Sequence, residues 1–253
     1  MNIGIVHAIE AYLSSSLEQI QYTHAFKQRC EANEVTPQPF KGNRMKVLVI
    51  GTGNMGSAFV KQISAAGHEV SVTARDASKV AALAAQFPGV RAVASASAAE
   101  GQDLVILATG YADAVIALKS VGKLQGKVVV DITNPLTADY MGLTLGHSSS
   151  ASEEIAKAIP GAHVVKAFNT LFAQVMAQGA TLADGSKATV FYAGDFEPAK
   201  QAVKALAESL GFATADAGGL KNARYLEPLA GLNIYFGYGA GRGTGIAPAW
   251  VGA

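Results

Sequence analysis

Gly51, Gly53 and Gly56, in the run Gly51-Thr52-Gly53-Asn54-Met55-Gly56, are the residues whose spacing most directly implies chemistry. In such a loop the first glycine permits a tight turn, the second lets backbone approach a ligand, and the third lets a helix pack close to a strand. Backbone N–H groups and the positive end of the helix dipole then face a pyrophosphate. The run follows the apolar segment Lys46–Ile50 and precedes a helical pattern, which is the strand, loop and helix context the motif requires. These residues imply a dinucleotide held by its phosphates.

The end of the second strand selects between the two nicotinamide dinucleotides. A carboxylate there accepts from a ribose 2′-hydroxyl, whereas an arginine there suits a 2′-phosphate. The chain reads Val72-Thr73-Ala74-Arg75-Asp76, with Lys79 one helical turn beyond Arg75. A guanidinium fork with a hydroxyl and an ammonium nearby fits a dianionic phosphate, so Thr73, Arg75 and Lys79 point to NADP(H). Two other readings stay open: an exposed, solvated helix start, and a register one residue later that brings Asp76 to the tip.

The elements that must position these residues alternate along the chain. Strands are expected at Lys46–Ile50, Glu69–Thr73, Val90–Val93, Leu104–Leu107, Lys127–Asp131, His163–Lys166, Ala188–Ala193 and Phe212–Ala215. Helices are expected near 55–66, 76–86, 112–119, 150–159 and 197–210, with a last one over Leu220–Tyr238. Near-continuous apolar strands separated by helices argue for an α/β, Rossmann-type, doubly wound and mostly parallel sheet covered on both faces. The expected domain organisation is an extension and linker over 1–44 and an NADP-binding domain over 45–253. Ile5, Ile9, Leu13, Leu17 and Ile20 place one apolar helical face in the extension, and Thr36-Pro37-Gln38-Pro39 begins its linker.

Bulk composition excludes several function classes. Lys and Arg number 20 against 19 Asp and Glu, so no basic surface advertises nucleic acid. The single cysteine, Cys30, rules out an internal disulfide framework or a cysteine metal cage within one chain. The longest apolar stretch, Leu104–Leu118, is interrupted by Gly110, Tyr111 and Asp113 and is too short to span a bilayer. The expectation is a cytoplasmic protein without a membrane partner. His147 and His163 sit in a loop and before a strand, so no catalytic acid, base or metal ligand is assigned.

Five blocks in one order resemble the coenzyme F-420-dependent NADP oxidoreductases. They are Gly-Thr-Gly-Asn-Met-Gly (51–56), Thr-Ala-Arg (73–75) with Lys79, Val-Val-Asp-Ile-Thr-Asn-Pro (129–135), Val-Val-Lys-Ala-Phe-Asn-Thr (164–170) and Asp-Ala-Gly-Gly-Leu-Lys-Asn-Ala-Arg-Tyr-Leu-Glu (216–227). The fold also resembles the cytosolic domain of six-transmembrane metalloreductases, and the N-terminal half resembles pyrroline-carboxylate reductases. The resemblance implies hydride transfer between NADP(H) and a deazaflavin, coenzyme F-420, or a flavin-like acceptor, in a homodimer. It implies that Ala108, Thr109, Gly110, Asn134 and Pro135 line the nicotinamide half. Tyr111, Phe168, Asn169 and Thr170 are the acceptor-site candidates, with two alternatives open: Phe168 as a core residue and Tyr111 as an ordinary half-buried aromatic. Gly110 stands where those enzymes commonly carry proline, and Asn169 where they commonly carry histidine, a position at which the chain resembles the metalloreductases. A quinone or ferric acceptor, or an NADP(H)-sensing protein without turnover, are the alternatives.

Overall fold

The computed structural model describes residues 44–250, so the expected N-terminal helix and its linker lie outside the described residues. An eight-stranded sheet runs in the order β3-β2-β1-β4-β5-β6-β7-β8. Its strands are β1 (Lys46–Ile50), β2 (Glu69–Thr73), β3 (Arg91–Ala92), β4 (Leu104–Leu107), β5 (Val128–Asp131), β6 (His163–Ala167), β7 (Thr189–Gly194) and β8 (Ala213–Asp216). Every neighbouring pair is parallel except β6 with β7. This is the mostly parallel, doubly wound sheet expected from the strand pattern, and β3 is shorter than its apolar run suggested.

Both faces of the sheet are buried, which is why most strand positions are apolar instead of alternating. Val47 and Val49 join a core with Phe59, Ile63, Val130, Phe168 and Val203, while Leu48 and Ile50 point to the other face with Val105, Leu107, Leu118 and Ile155. The helices are α1 (Asn54–Ala65), α2 (Ala77–Ala84), α3 (Ala114–Ser120), α4 (Ala151–Ala158), α5 (Ala173–Gln178), α6 (Glu197–Ser209) and α7 (Ala223–Ile234). Helix α5 was not foreseen, because six residues carry too few turns for an apolar period. Ser150 caps helix α4: its hydroxyl accepts from the Glu153 backbone N–H and donates to the Glu153 carboxylate. Helix α7 continues into a π-helical turn over Tyr235–Gly239. No helix among the described residues is long and apolar enough to cross a membrane.

Strand β1 pairs with β2 on one side and β4 on the other. The two halves of the sheet diverge there, and the crevice at the carboxyl ends of β1 and β4 is where open α/β sheets receive ligands.

Candidate dinucleotide and acceptor site

Each glycine of the loop has its own steric reason. Gly51 adopts φ +122°, and a Cβ on it would stand 2.3 Å from the Ala108 carbonyl oxygen. A Cβ on Gly56 would stand 2.1 Å from the Gly51 carbonyl oxygen, so this residue lets α1 press against the turn. A Cβ on Gly53 would meet nothing within 4 Å. Gly53 is also the N-cap of α1 and offers no side-chain cap, so the first-turn amides face outward. The loop thus combines two glycines that the fold needs with one that opens toward a ligand.

A cavity of about 460 Å³ extends from this loop across the ends of β1, β2 and β4. It is lined by Gly51, Thr52, Gly53, Arg75, Lys79, Ala108, Thr109 and Gly110, all of them expected, together with Ser95, Asp113 and Ile116, which were not. The register Ile50↔Thr73 ends β2 at Thr73, so the strand tip is Ala74-Arg75. Asp76 is occupied otherwise: its carboxylate caps α2 by accepting from the backbone of Ser78 and Lys79 at 3.0 and 3.1 Å. Thr73 departs from the expectation. Its side chain is buried and bonded to the Ser95 hydroxyl at 3.0 Å, and half-buried Ser95 lines the cavity in its place. Arg75 spans the mouth of the cavity to Asp113 at 3.2 Å, an exposed pair that a 2′-phosphate can displace at small cost.

A second cavity, of about 190 Å³, reaches the loop at Met55 and is bounded by Tyr140, Phe172, Asn233 and Tyr238 with Asn134, Asn169 and Thr170. Asn134 donates to the Asn169 backbone carbonyl at 2.9 Å, and its side-chain carbonyl accepts from the Asn169 amide at 3.0 Å. The Asn169 amide also donates to the Leu226 carbonyl at 3.0 Å. The two asparagines therefore form one unit across the ends of β5 and β6. Pro135 lies behind this unit and accepts from the Thr144 backbone at 2.6 Å.

Two acceptor-site expectations are corrected. Phe168 is fully buried, with its ring edge-on to Phe59 at 5.1 Å and to Phe212 at 6.2 Å. Its left-handed φ of 60° turns the ring inward just after β6, leaving Asn169 and Thr170 to face the cavity. Tyr111 packs against the core on the Leu107, Ile155 and Leu220 face and lines neither cavity. Burial, and then the carboxylates of Glu154, Glu227 and Asp131, hold its hydroxyl above the ordinary tyrosine range. Tyr140, Asn233 and Tyr238 supply the wall instead.

Beneath the asparagine pair lies a buried ionic cluster that the sequence reading missed. Lys166 is 0% exposed and stands 2.8 Å from Asp131 and 3.0 Å from Glu227. One signal was present, because Asp131 and Lys166 interrupt neighbouring apolar strands with opposite charges.

The model of the coenzyme F-420-dependent NADP oxidoreductase family matches residues 46–135. Metalloreductase STEAP3 of Rattus norvegicus is 30% identical over 185 residues, 73% of this chain, and the chain spans 36% of that protein's length. A reductive aminase of Aspergillus terreus solved with NADPH and ethyl levulinate has a TM-score of 0.58 at 21% identity, over 79% of this chain and 64% of its own, and shares the fold. The crystal structure of a protein from Arthrobacter sp. FB24 assigned as an F-420-dependent NADP reductase has a TM-score of 0.73 at 32% identity, covering 81% of this chain and 100% of that one. With that relative matched from end to end, the chain belongs to the coenzyme F-420-dependent NADP oxidoreductase family.

Proposed function

We propose that this NADP-dependent oxidoreductase passes hydride between NADP(H) and a flat acceptor of the deazaflavin or flavin class, held in the cavity bounded by Met55, Asn134, Asn169, Thr170, Asn233 and Tyr238. The observation that carries this reading is that two cavities adjoin one glycine loop, the first along Gly51–Gly53 and the second at Met55. One is rimmed by Arg75 and Lys79, and the other is lined by amides and aromatic rings.

The residues present fit NADP(H). Gly53 leaves open space beside uncapped helix amides for the pyrophosphate, and Arg75, Lys79 and Ser95 supply donors for a 2′-phosphate. NADPH supplies the hydride from its nicotinamide ring. Met55 and the asparagine pair flank the ring's path, while Tyr140, Phe172 and Tyr238 offer apolar faces to a tricyclic partner and exclude water from between the rings. The chain's task is orientation, and no side chain is assigned a proton.

A second reading, a quinone or ferric acceptor, is favoured by Asn169 and by the similarity to STEAP3. A homodimer is proposed as well, with exposed Tyr225, Leu232 and Tyr235 as its apolar surface. Light scattering of the purified protein tests it, and a monomer at all concentrations overturns it. The acceptor is tested by following loss of reduced nicotinamide absorbance with F-420, FMN, a quinone and a ferric complex in turn. Turnover with F-420 or FMN supports the first reading, and turnover with only the quinone or ferric complex supports the second. Tight NADPH binding without turnover on any acceptor would falsify both and leave a sensor.

A further inference from the structure

Asp131, Lys166 and Glu227 take no part in the reading above, yet their side chains are 0–1% exposed. Asp131 and Lys166 are register partners in β5 and β6, and Glu227 comes from α7. An ammonium has three N–H donors. Lys166 Nζ uses them on Asp131 Oδ2 at 2.8 Å, Glu227 Oε1 at 3.0 Å and the Thr133 carbonyl at 2.6 Å. The carboxylates are answered too. Asp131 accepts from the Thr133 backbone at 2.8 Å and from the Ser152 hydroxyl at 2.6 Å. Glu227 accepts from the first amides of α4, Ala151 at 3.0 Å and Ser152 at 3.3 Å.

The cluster is fastened to three of the segments that line the second cavity. Thr133, held by its carbonyl and its N–H, immediately precedes Asn134. Lys166 lies three residues before Asn169 on the same strand exit. Leu226, whose carbonyl accepts from Asn169, immediately precedes Glu227. A buried ion cluster is a poor way to gain stability, because apolar side chains of the same volume serve as well or better. Its distinguishing property is direction: three charges with saturated hydrogen bonds admit one arrangement of the strands and the helix that carry them.

We propose that Lys166, locked between Asp131 and Glu227, is a positioning residue that holds the Asn134–Asn169 amide pair in register to orient the nicotinamide and its acceptor. The inference rests on the assignment of the second cavity to that end of the cofactor. Lys166 touches no reacting atom, and it acts through Thr133 and the two asparagines.

The test separates the two ends of the dinucleotide. Binding of 2′,5′-ADP reads the Arg75 cavity alone, while the emission of bound NADPH rises when its nicotinamide is immobilised. The full chain is compared with Glu227→Gln and with the neutral triple variant Asp131→Asn, Lys166→Met, Glu227→Gln, which keeps shape while removing charge. Both variants are expected to bind 2′,5′-ADP as the unaltered chain does. Both should lose most of the NADPH emission enhancement, and kcat should fall on the order of ten- to a hundredfold, the cost of a slightly misplaced ring. Transfer from NADPH deuterated on one face should also lose its strict stereochemistry. A folded variant with unchanged emission, kcat and stereochemistry, and only a lower Tm, overturns the proposal and leaves the cluster a structural device. Unaltered chain that binds NADPH with no rise in emission overturns the cavity assignment itself, and with it this inference. Should the triple variant fail to fold, Glu227→Gln alone carries the comparison.

Discussion

The two ends of the cofactor groove are built from charges used in opposite ways. At the adenosine end, Arg75 and Lys79 are 86% and 73% exposed in their side chains and paired loosely with Asp113 and Asp76. At the far end, Lys166 is sealed from solvent with Asp131 at 2.8 Å and Glu227 at 3.0 Å. Exposed cations keep their hydration until a phosphate arrives, so exchanging a weak partner for a dianion is favourable. Buried ions have no such freedom and serve to fix the backbone around them. On the proposed reading, one end captures the dinucleotide and the other orients it.

The largest way to break this contrast is Lys166→Met, which leaves two carboxylates facing each other without a cation. It is expected to cost about 3–5 kcal/mol, read from urea denaturation. Arg75→Ala should change stability by no more than about 0.5 kcal/mol. It should instead weaken NADPH binding about ten- to a hundredfold, the scale of a charged hydrogen bond, with NADH hardly affected. Equal weakening of both cofactors in a titration would remove Arg75 from the 2′-phosphate site.

The glycine loop sharpens the comparison within six residues. Gly56→Ala drives a Cβ against the Gly51 carbonyl and should destabilise the fold by about 1–3 kcal/mol, the range for overpacking. Gly53→Ala meets no protein atom, so Tm should hold while NADPH binding falls. A drop in Tm for Gly53→Ala equal to that for Gly56→Ala would show that both glycines serve the fold.

The smallest effect concerns Arg224, which grips Glu153 at 2.7 and 2.8 Å and ties α7 to α4. That guanidinium holds the Glu153 carboxyl below its ordinary value of 4.5, with the Ser150 hydroxyl helping. A carboxylate depressed on folding stabilises the protein above its unfolded value, and the contribution is lost as pH falls through the folded one. The stability difference between the parent and Glu153→Gln should therefore be present at neutral pH and vanish in acid. A difference that grows in acid contradicts the pairing.

The legible parts of this molecule were those whose causes are local. Near-continuous apolar strands announced the sheet, and Gly51-x-Gly53-x-x-Gly56 announced the crevice, because each signal fits within one element and its neighbour. Arg75 was found by its place after β2. Thr73 was placed too far out: β2 is buried on both faces from Val70 to Thr73, so its hydroxyl turns to Ser95 inside the strand tip. The reversed direction of β7 leaves no mark in composition. Phe168 and Tyr111 were read as walls from position alone, whereas a left-handed backbone and a tilt onto the core decide where those rings go. The ion cluster was hidden because its members lie at 131, 166 and 227, and no window of sequence contains their meeting.

That same spacing orders the birth of the protein. As the chain leaves the ribosome, the first five strands can assemble from residues already made, but Lys166 then has one acid and no second. Until Glu227 emerges, Lys166 lacks one of its two carboxylates, and burying its charge at the end of β6 carries a larger desolvation cost. On the proposed reading the half of the groove that orients the ring is completed last, because a chain halted before α7 holds the Asn134–Asn169 pair without the Leu226 carbonyl and the Glu227 carboxylate that fix it.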